Sequence, residues 1–283
     1  MNRPFIEFLQ TQRLAWSGAG GIREGAEVRE LSRDAATGAC STLVRYPAGW
    51  RRERDEALDT DEEFFVLSGS LRIGEVDYGR YSYGHLPSGY HRAGMSSPAG
   101  AVVLTFFAAE AHAVPASSHL PTLVSERVVE RIDALDGAWG GGFHPEFPPG
   151  AGRKWLRRDP VTGDETWILG TMPLRHGQKA ERHPVVEEMF LLSGELVGHL
   201  GIMRPGAYFW RPPEEWHGPF GSLTGNLMLF RTVGGPLSTE YHTEHGDFCW
   251  EPEHRPILPP HLRDLPSPGK PSKTDDLPLT GGE

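Results

Sequence analysis

Apolar positions in this chain fall in short runs between turn-forming residues. "STLVRYPAG" (Ser41–Gly49), "EEFFVLSGSLRIG" (Glu62–Gly74) and "GAVVLTFF" (Gly100–Phe107) are rich in β-branched and aromatic side chains and bounded by Gly, Pro or Asp. That pattern predicts strands separated by tight turns. One segment, "TLVSERVVERIDALDG" (Thr122–Gly137), reads as the best helix candidate.

The pattern is written twice. Shifted by 125 residues, "LSRDAATG" (Leu31–Gly38) lies over "LRRDPVTG" (Leu156–Gly163), and "EEFFVLSGSL" (Glu62–Leu71) over "EEMFLLSGEL" (Glu187–Leu196). With a small indel, "GRYSYGHLPSGYH" (Gly79–His91) lies over "GAYFWRPPEEWH" (Gly206–His217). Each copy then reaches a glycine and an apolar strand, from Gly100 and from Gly225, and each is led in by a Trp, Trp16 or Trp139. A tandem duplication follows. The expected layout is an N-terminal repeat over 1–135, a linker over 136–152, a C-terminal repeat over 153–235 and an extension over 236–283. The Gly- and Pro-rich "DGAWGGGFHPEFPPG" (Asp136–Gly150) marks the linker. From Arg255 the extension is Pro-rich, expected to lie draped on the surface or disordered.

Composition narrows the function. At 283 residues, 38% hydrophobic and 23% charged, the chain has material for a sizeable core. It lacks a membrane-length apolar run, and "MNRPFIEFLQTQ" lacks the apolar centre of a signal peptide, so a cytoplasmic, membrane-free protein is expected. A formal charge of −10 argues against a nucleic-acid partner. Two cysteines, Cys40 and Cys249, are too few for a disulfide framework or a zinc finger. Nucleotide-binding glycine loops and the G-x-S-x-G elbow are absent.

The chemistry concentrates in "ERHPVVEEMFLLSGEL" (Glu181–Leu196), where charged groups precede a strand about to be buried. Parity puts Glu181, His183 and Glu187 on one side of a strand. Four residues of straight strand span roughly 13 Å, too far for His183 and Glu187 to share an ion. Pro184 removes a ladder donor and favours a bend, after which the three can converge. A fourth group, His217, follows the Pro-rich turn "RPPEEWHGPF". Two imidazoles and one or two carboxylates inside a barrel define a metal site, since burying such groups without a cation costs several kcal/mol each. In the first copy the counterparts are Glu56, Leu58, Glu62 and His91. Leu58 replaces an imidazole amid arginines, so that site is expected to be degenerate. The H-x-x-H spacing of His242 and His245 lies in an unpatterned region and reads as no second metal site.

These motifs resemble the cupin superfamily, and the duplication resembles a bicupin. The first cupin motif, G(x)5HxH(x)3–4E(x)6G, is matched by Glu187 with Gly194 and by Glu62 with Gly69. The second, G(x)5PxGxxH(x)3N, is matched by Gly206, Pro212 and His217. The resemblance covers residues 28–110 and 153–232, and it implies an all-β fold of tandem cupin (double-stranded β-helix, jelly-roll) barrels. Within cupins, the approach and turn segments look most like the anti-sigma-factor-type cupins and small dioxygenase relatives. The family's ligand positions carry over at His183, Glu187 and His217. Glu181 stands where the family has histidine, Glu214 replaces a glycine and Gly221 the asparagine.

What the resemblance implies is one divalent metal ion in the C-terminal barrel, Fe(II) favoured, with Zn(II), Mn(II) or Ni(II) also compatible. The expected function is a mononuclear non-haem dioxygenase acting on a small chelating molecule. The alternatives are a redox-neutral isomerase or lyase, with Glu181 as catalytic base rather than ligand, or a non-enzymatic ligand-binding module. Phe190, Tyr208, Trp210 and Trp216 are the expected pocket wall. A homodimer is compatible with exposed strand edges.

Overall fold

The computed structural model describes residues 3–119, 121–141, 144–147 and 149–265. Two compact units account for the fold. In the first, Leu14–Leu135, a seven-stranded sheet runs Val129–Asp133, Ser82–Leu86, Glu62–Gly69, Ala101–Phe107, Cys40–Tyr46, Glu27–Arg33, Ser17–Gly18. A five-stranded sheet, built around Trp50–Leu58 and Arg92–Ser97, completes that barrel. Its interior is packed with Tyr46, Trp50, Phe64, Tyr78 and aliphatic neighbours.

The second unit has a six-stranded sheet in the order Ile6–Gln10, Ala207–Arg211, Val186–Gly194, Asn226–Val233, Glu165–Thr171, Ala151–Arg158. Shorter strands, among them Arg175–His176 and Gly221–Ser222, form its other wall. Each unit is an all-β jelly-roll barrel of the cupin type, as the family resemblance implies. Pairing is antiparallel, and alternate residues face a packed interior.

Three details carry the duplication from sequence into geometry. Asp34 Oδ1 accepts the amides of Ala36 and Thr37 at 2.9 and 3.2 Å; Asp159 Oδ1, 125 positions on, accepts those of Val161 and Thr162 at 2.9 Å each. Tyr83 donates its hydroxyl to Glu63, and Tyr208 to Glu188. Gly69 and Gly194 both have φ near the left-handed region, +69° and +75°. A Cβ at either would collide with the carbonyl of Gly100 or Gly225, so the motif glycine is fixed by backbone approach.

The segment expected to be helical is not. Ser125–Arg127 is a single 3-10 turn and Val129–Asp133 is an edge strand paired with Ser82–Leu86. Its apolar residues satisfy a helical period, but an unpaired sheet edge offers ladder partners that local propensity does not anticipate. The N-terminal boundary differs too. Pro4–Arg13 belongs to the second unit, where Ile6–Gln10 pairs with Ala207–Arg211 and Glu7 bridges Ile257. In the extension, Pro260–Leu262 forms a 3-10 turn whose Leu262 is buried, and residues 266–283 lie outside the described residues. Among the described residues no helix is long and apolar enough to cross a membrane.

Candidate metal centre

Glu181 sits on the two-residue strand Glu181–Arg182, which pairs with Glu240–Tyr241 and bridges His217. The chain leaves that strand at His183, bends through Pro184 and re-enters the sheet at Val186. This is the turn that brings His183 and Glu187 together: His183 Nε2 lies 3.7 Å from Glu187 Oε1. His217 Nε2 lies 3.7 Å from Glu187 Oε2 and 3.8 Å from Glu181 Oε1. One donor atom from each of Glu181, His183 and His217 falls within 4.8 Å of the others, the one such metal-compatible group found among the described residues.

Both imidazoles are buried and fixed in one tautomer. His183 Nδ1 lies 2.9 Å from the Ser238 carbonyl, and His217 Nδ1 lies 2.8 Å from the Glu215 carbonyl. Carbonyls only accept, so each Nδ1 carries the proton and each Nε2 presents a lone pair. Neither Nε2 has a hydrogen-bond partner, although both are buried. The separations of 3.7–3.8 Å exceed hydrogen-bond range. Donors each 2.0–2.2 Å from one ion stand roughly 3–4 Å apart, so the spacing fits a shared cation.

The electrostatics agree. Burial, then Arg211 and His183, hold His217 well below the usual imidazole range, keeping it neutral. Burial pushes the Glu181 carboxyl up; His183 offsets part of this and Glu187 adds to it. About 20% of the Glu181 side chain is exposed, so it forms the open edge of the cluster. Tyr241 hydrogen-bonds to it. Glu187 shares the buried Arg211 guanidinium with Glu7, whose Oε1 is 2.7 Å from Arg211 Nη2. Three carboxylates and one guanidinium leave two negative charges, which a divalent cation would balance.

Glu7, Arg211 and Tyr241 were not singled out by the sequence. Arg211 ends the strand Ala207–Arg211 at the register position opposite Glu187, a pairing that no local pattern announces. Glu7 had no signal, because its strand joins this sheet across some two hundred positions of chain.

The pocket wall differs from expectation. A cavity of ≈ 70 Å³ adjoins the cluster, lined by Phe147, Phe209, Phe220 and Phe230 together with Glu181, Glu187 and Arg211. Phe190, Tyr208 and Trp210 are on the other face of the same strands: Glu187 points in, so Glu188 and Phe190 point out, opposite Trp210 and Tyr208. Trp216 is 40% exposed, with Arg182 stacked on its ring.

In the first barrel Glu62 is buried between Arg23 and Arg92, and Glu56 forms a two-point ion pair with Arg52 at 2.6 and 2.7 Å. His91 is exposed and pairs with Asp55. Register also corrects the alignment. Glu62 pairs Leu86 and Glu187 pairs Arg211, a constant shift of 125. Positive-φ residues keep the same shift, Tyr81 with Gly206 and Gly89 with Glu214. The counterpart of His217 is therefore Arg92, and exposed His91 matches exposed Trp216.

Fold and site together define a two-barrel cupin-type protein with a candidate metal centre of one carboxylate and two imidazoles in its second barrel. The chain belongs to the DUF4437 family, a domain of unknown function whose pattern matches residues 7–238. No curated protein matches it in sequence. It is similar in structure to a protein of Nostoc punctiforme described as a "putative dioxygenase", with TM-score 0.76, 18% identity, and 88% of this chain and 92% of that one covered. It is also similar to a two-residue deletion mutant of Bacillus subtilis oxalate decarboxylase, with TM-score 0.56, 11% identity, and 83% and 79% covered. At these identities the likeness is one of fold.

Proposed function

We propose that the protein is a mononuclear non-haem iron enzyme of the dioxygenase type, acting on a small chelating organic molecule. The observation that carries this reading is the pair of buried, unpartnered Nε2 atoms facing acidic oxygens in one cluster. His183, His217 and Glu181 would hold the ion, with Glu187 beside them. Two imidazoles and a carboxylate leave coordination positions open, a set that suits Fe(II), and the ion would supply a redox-active Lewis acid there. The neighbours described as a dioxygenase and an oxalate decarboxylase support metal use without fixing the reaction.

The chain's own groups do the rest. The Ser238 and Glu215 carbonyls aim the imidazoles. Arg211 orients Glu187 through their buried contact. The phenylalanine wall excludes water from the reacting end. A redox-neutral isomerase or lyase is the second reading, favoured by Glu181: its burial-raised carboxyl is placed to take up a proton.

Elemental analysis of protein purified without nickel affinity tests the site. Iron stoichiometric with the chain, lost in His217→Ala, supports the iron reading, and oxygen uptake with diketone or enol substrates then follows. Zinc or manganese with no oxygen uptake moves the assignment to the redox-neutral class. Glu181→Gln separates ligand from base: lost metal means ligand, retained metal with lost turnover means base.

A further inference from the structure

The cavity beside the metal cluster has further polar lining besides its acidic groups. Arg175 and Ser222 pair directly across the ladder between Arg175–His176 and Gly221–Ser222, so their side chains share a face, and both line the cavity. Ser222 is 1% exposed, and its hydroxyl oxygen is buried without a hydrogen-bond partner. The other neutral polar groups in the wall are already engaged: Thr171 donates to Asn226 Oδ1 at 2.7 Å, and Asn226 donates to the Glu195 carbonyl at 2.9 Å. Arg175 is held in place by contacts that include two from Phe147 and Pro149. Its Nε donates to the Pro149 carbonyl at 3.2 Å, and its guanidinium lies 4.3 Å over the Phe147 ring. Much of the remaining wall is apolar, with Phe209, Met228 and Phe230.

We propose that Arg175 and Ser222 form a carboxylate subsite, and that the substrate is a small carboxylic acid with a short apolar body. This rests on the proposed metal-enzyme function of the same cavity. A planar carboxylate accepts from a guanidinium and a hydroxyl together, and it would satisfy the orphaned Ser222 Oγ. The enclosed volume, ≈ 70 Å³, is about half that of an engineered cavity of ~150 Å³ that takes up benzene, so only a few carbon atoms fit behind the carboxylate. The acid would span from Arg175 to the metal end, leaving its far carbon functionality at the open coordination positions.

The test uses isobutyrate, which has a carboxylate and no chelating group, against its neutral isostere isobutyramide, with sodium chloride at matched ionic strength. Binding is read by calorimetry and by the rise in melting temperature, for the wild type and four variants with folding checked by circular dichroism. Isobutyrate should bind the wild type and isobutyramide should not. Arg175→Gln should lose affinity roughly 10-fold or more, and Ser222→Ala about threefold to tenfold, as expected for charge-assisted and neutral hydrogen bonds. Arg175→Lys should fall between wild type and Gln, keeping charge without the fork. His217→Ala should retain binding. If Arg175→Gln binds isobutyrate normally while His217→Ala does not, the carboxylate sits on the metal and the subsite is wrong, although the metal reading stands. No binding to the wild type, or equal binding of the amide, also overturns the subsite. Should Arg175→Gln fail to fold, Ser222→Ala and Arg175→Lys decide alone. Isobutyrate binding by a wild type that takes up no metal at all would leave the subsite standing and sink the iron enzyme.

Discussion

The centre turns on the two buried ring nitrogens and on what holds the residue between them. Arg211 and Glu7 are each 1% exposed, and together they fix Glu187 in a hydrogen-bonded chain. Groups one step removed from a metal tune its affinity. Glu7→Gln should therefore weaken metal binding by about 10–100-fold in a chelator-competition titration, while far-ultraviolet circular dichroism stays unchanged. An unaltered affinity would mean that Glu7 only fills space. His217→Ala should abolish metal binding, and His91→Ala should leave metal content unchanged, since His91 is a surface partner of Asp55. The E-x-H-x3-E spacing was readable because Pro184 favours the bend that closes the distance a straight strand would leave. Glu7 was not, because nothing local in "FIEFLQ" says which sheet that strand will join.

At the scale of elements, the two repeats give different answers to one problem, a buried carboxylate at the start of the same strand. The second repeat sets two imidazoles around Glu187. The first puts Leu58 and Arg92 at those positions and adds Arg23, so guanidinium charge stands where a metal would. Burial pushes the Glu62 carboxyl up, but Arg23 and Arg92 outweigh it and hold the group below its ordinary value near 4.5. A depressed carboxyl contributes stability above its unfolded value and loses it as pH falls towards the folded one. The wild type should thus lose stability below about pH 4.5, through Glu62 among others. Glu62→Gln should cost roughly 3–5 kcal/mol at pH 7, by stranding buried arginines, and should flatten the acid limb of the urea midpoints. Equal acid limbs in the two proteins would remove Glu62 as a contributor. Sequence comparison set His91 against His217; only strand register, which counts residues along paired ladders, moved the counterpart to Arg92.

For the molecule as a whole, a metal that binds the folded second barrel and not the unfolded chain must raise its stability. Stripping it with a chelator should lower the melting temperature by roughly 5–10 °C, if the free ion is about a hundredfold above its dissociation constant. His217→Ala should melt at the stripped temperature with or without chelator. A wild-type melt indifferent to chelator and to added Fe(II), Zn(II) or Mn(II) would count against any structural metal here. The cavity beside the site belongs to this scale as well, because its walls are drawn from strands distant in sequence.

What the sequence determined by itself is whatever depends on local pattern and repetition: the all-β class, the duplication, the motif glycines and the Glu181, His183, Glu187, His217 constellation. Period-two alternation, turn residues and a 125-residue echo are all written along the chain. What only the tertiary structure decided is pairing and facing. The segment expected to be a helix became an edge strand, because a ladder was open beside Ser82–Leu86. The aromatic wall moved from Phe190, Tyr208 and Trp210 to Phe209, Phe220 and Phe230, because one inward Glu187 sets the parity of its whole strand and of the strand beside it. Glu7 and the Arg175–Ser222 pair became visible only once strands remote in sequence lay side by side, since long-range register comes from the packed sheet and not from any stretch of residues within it.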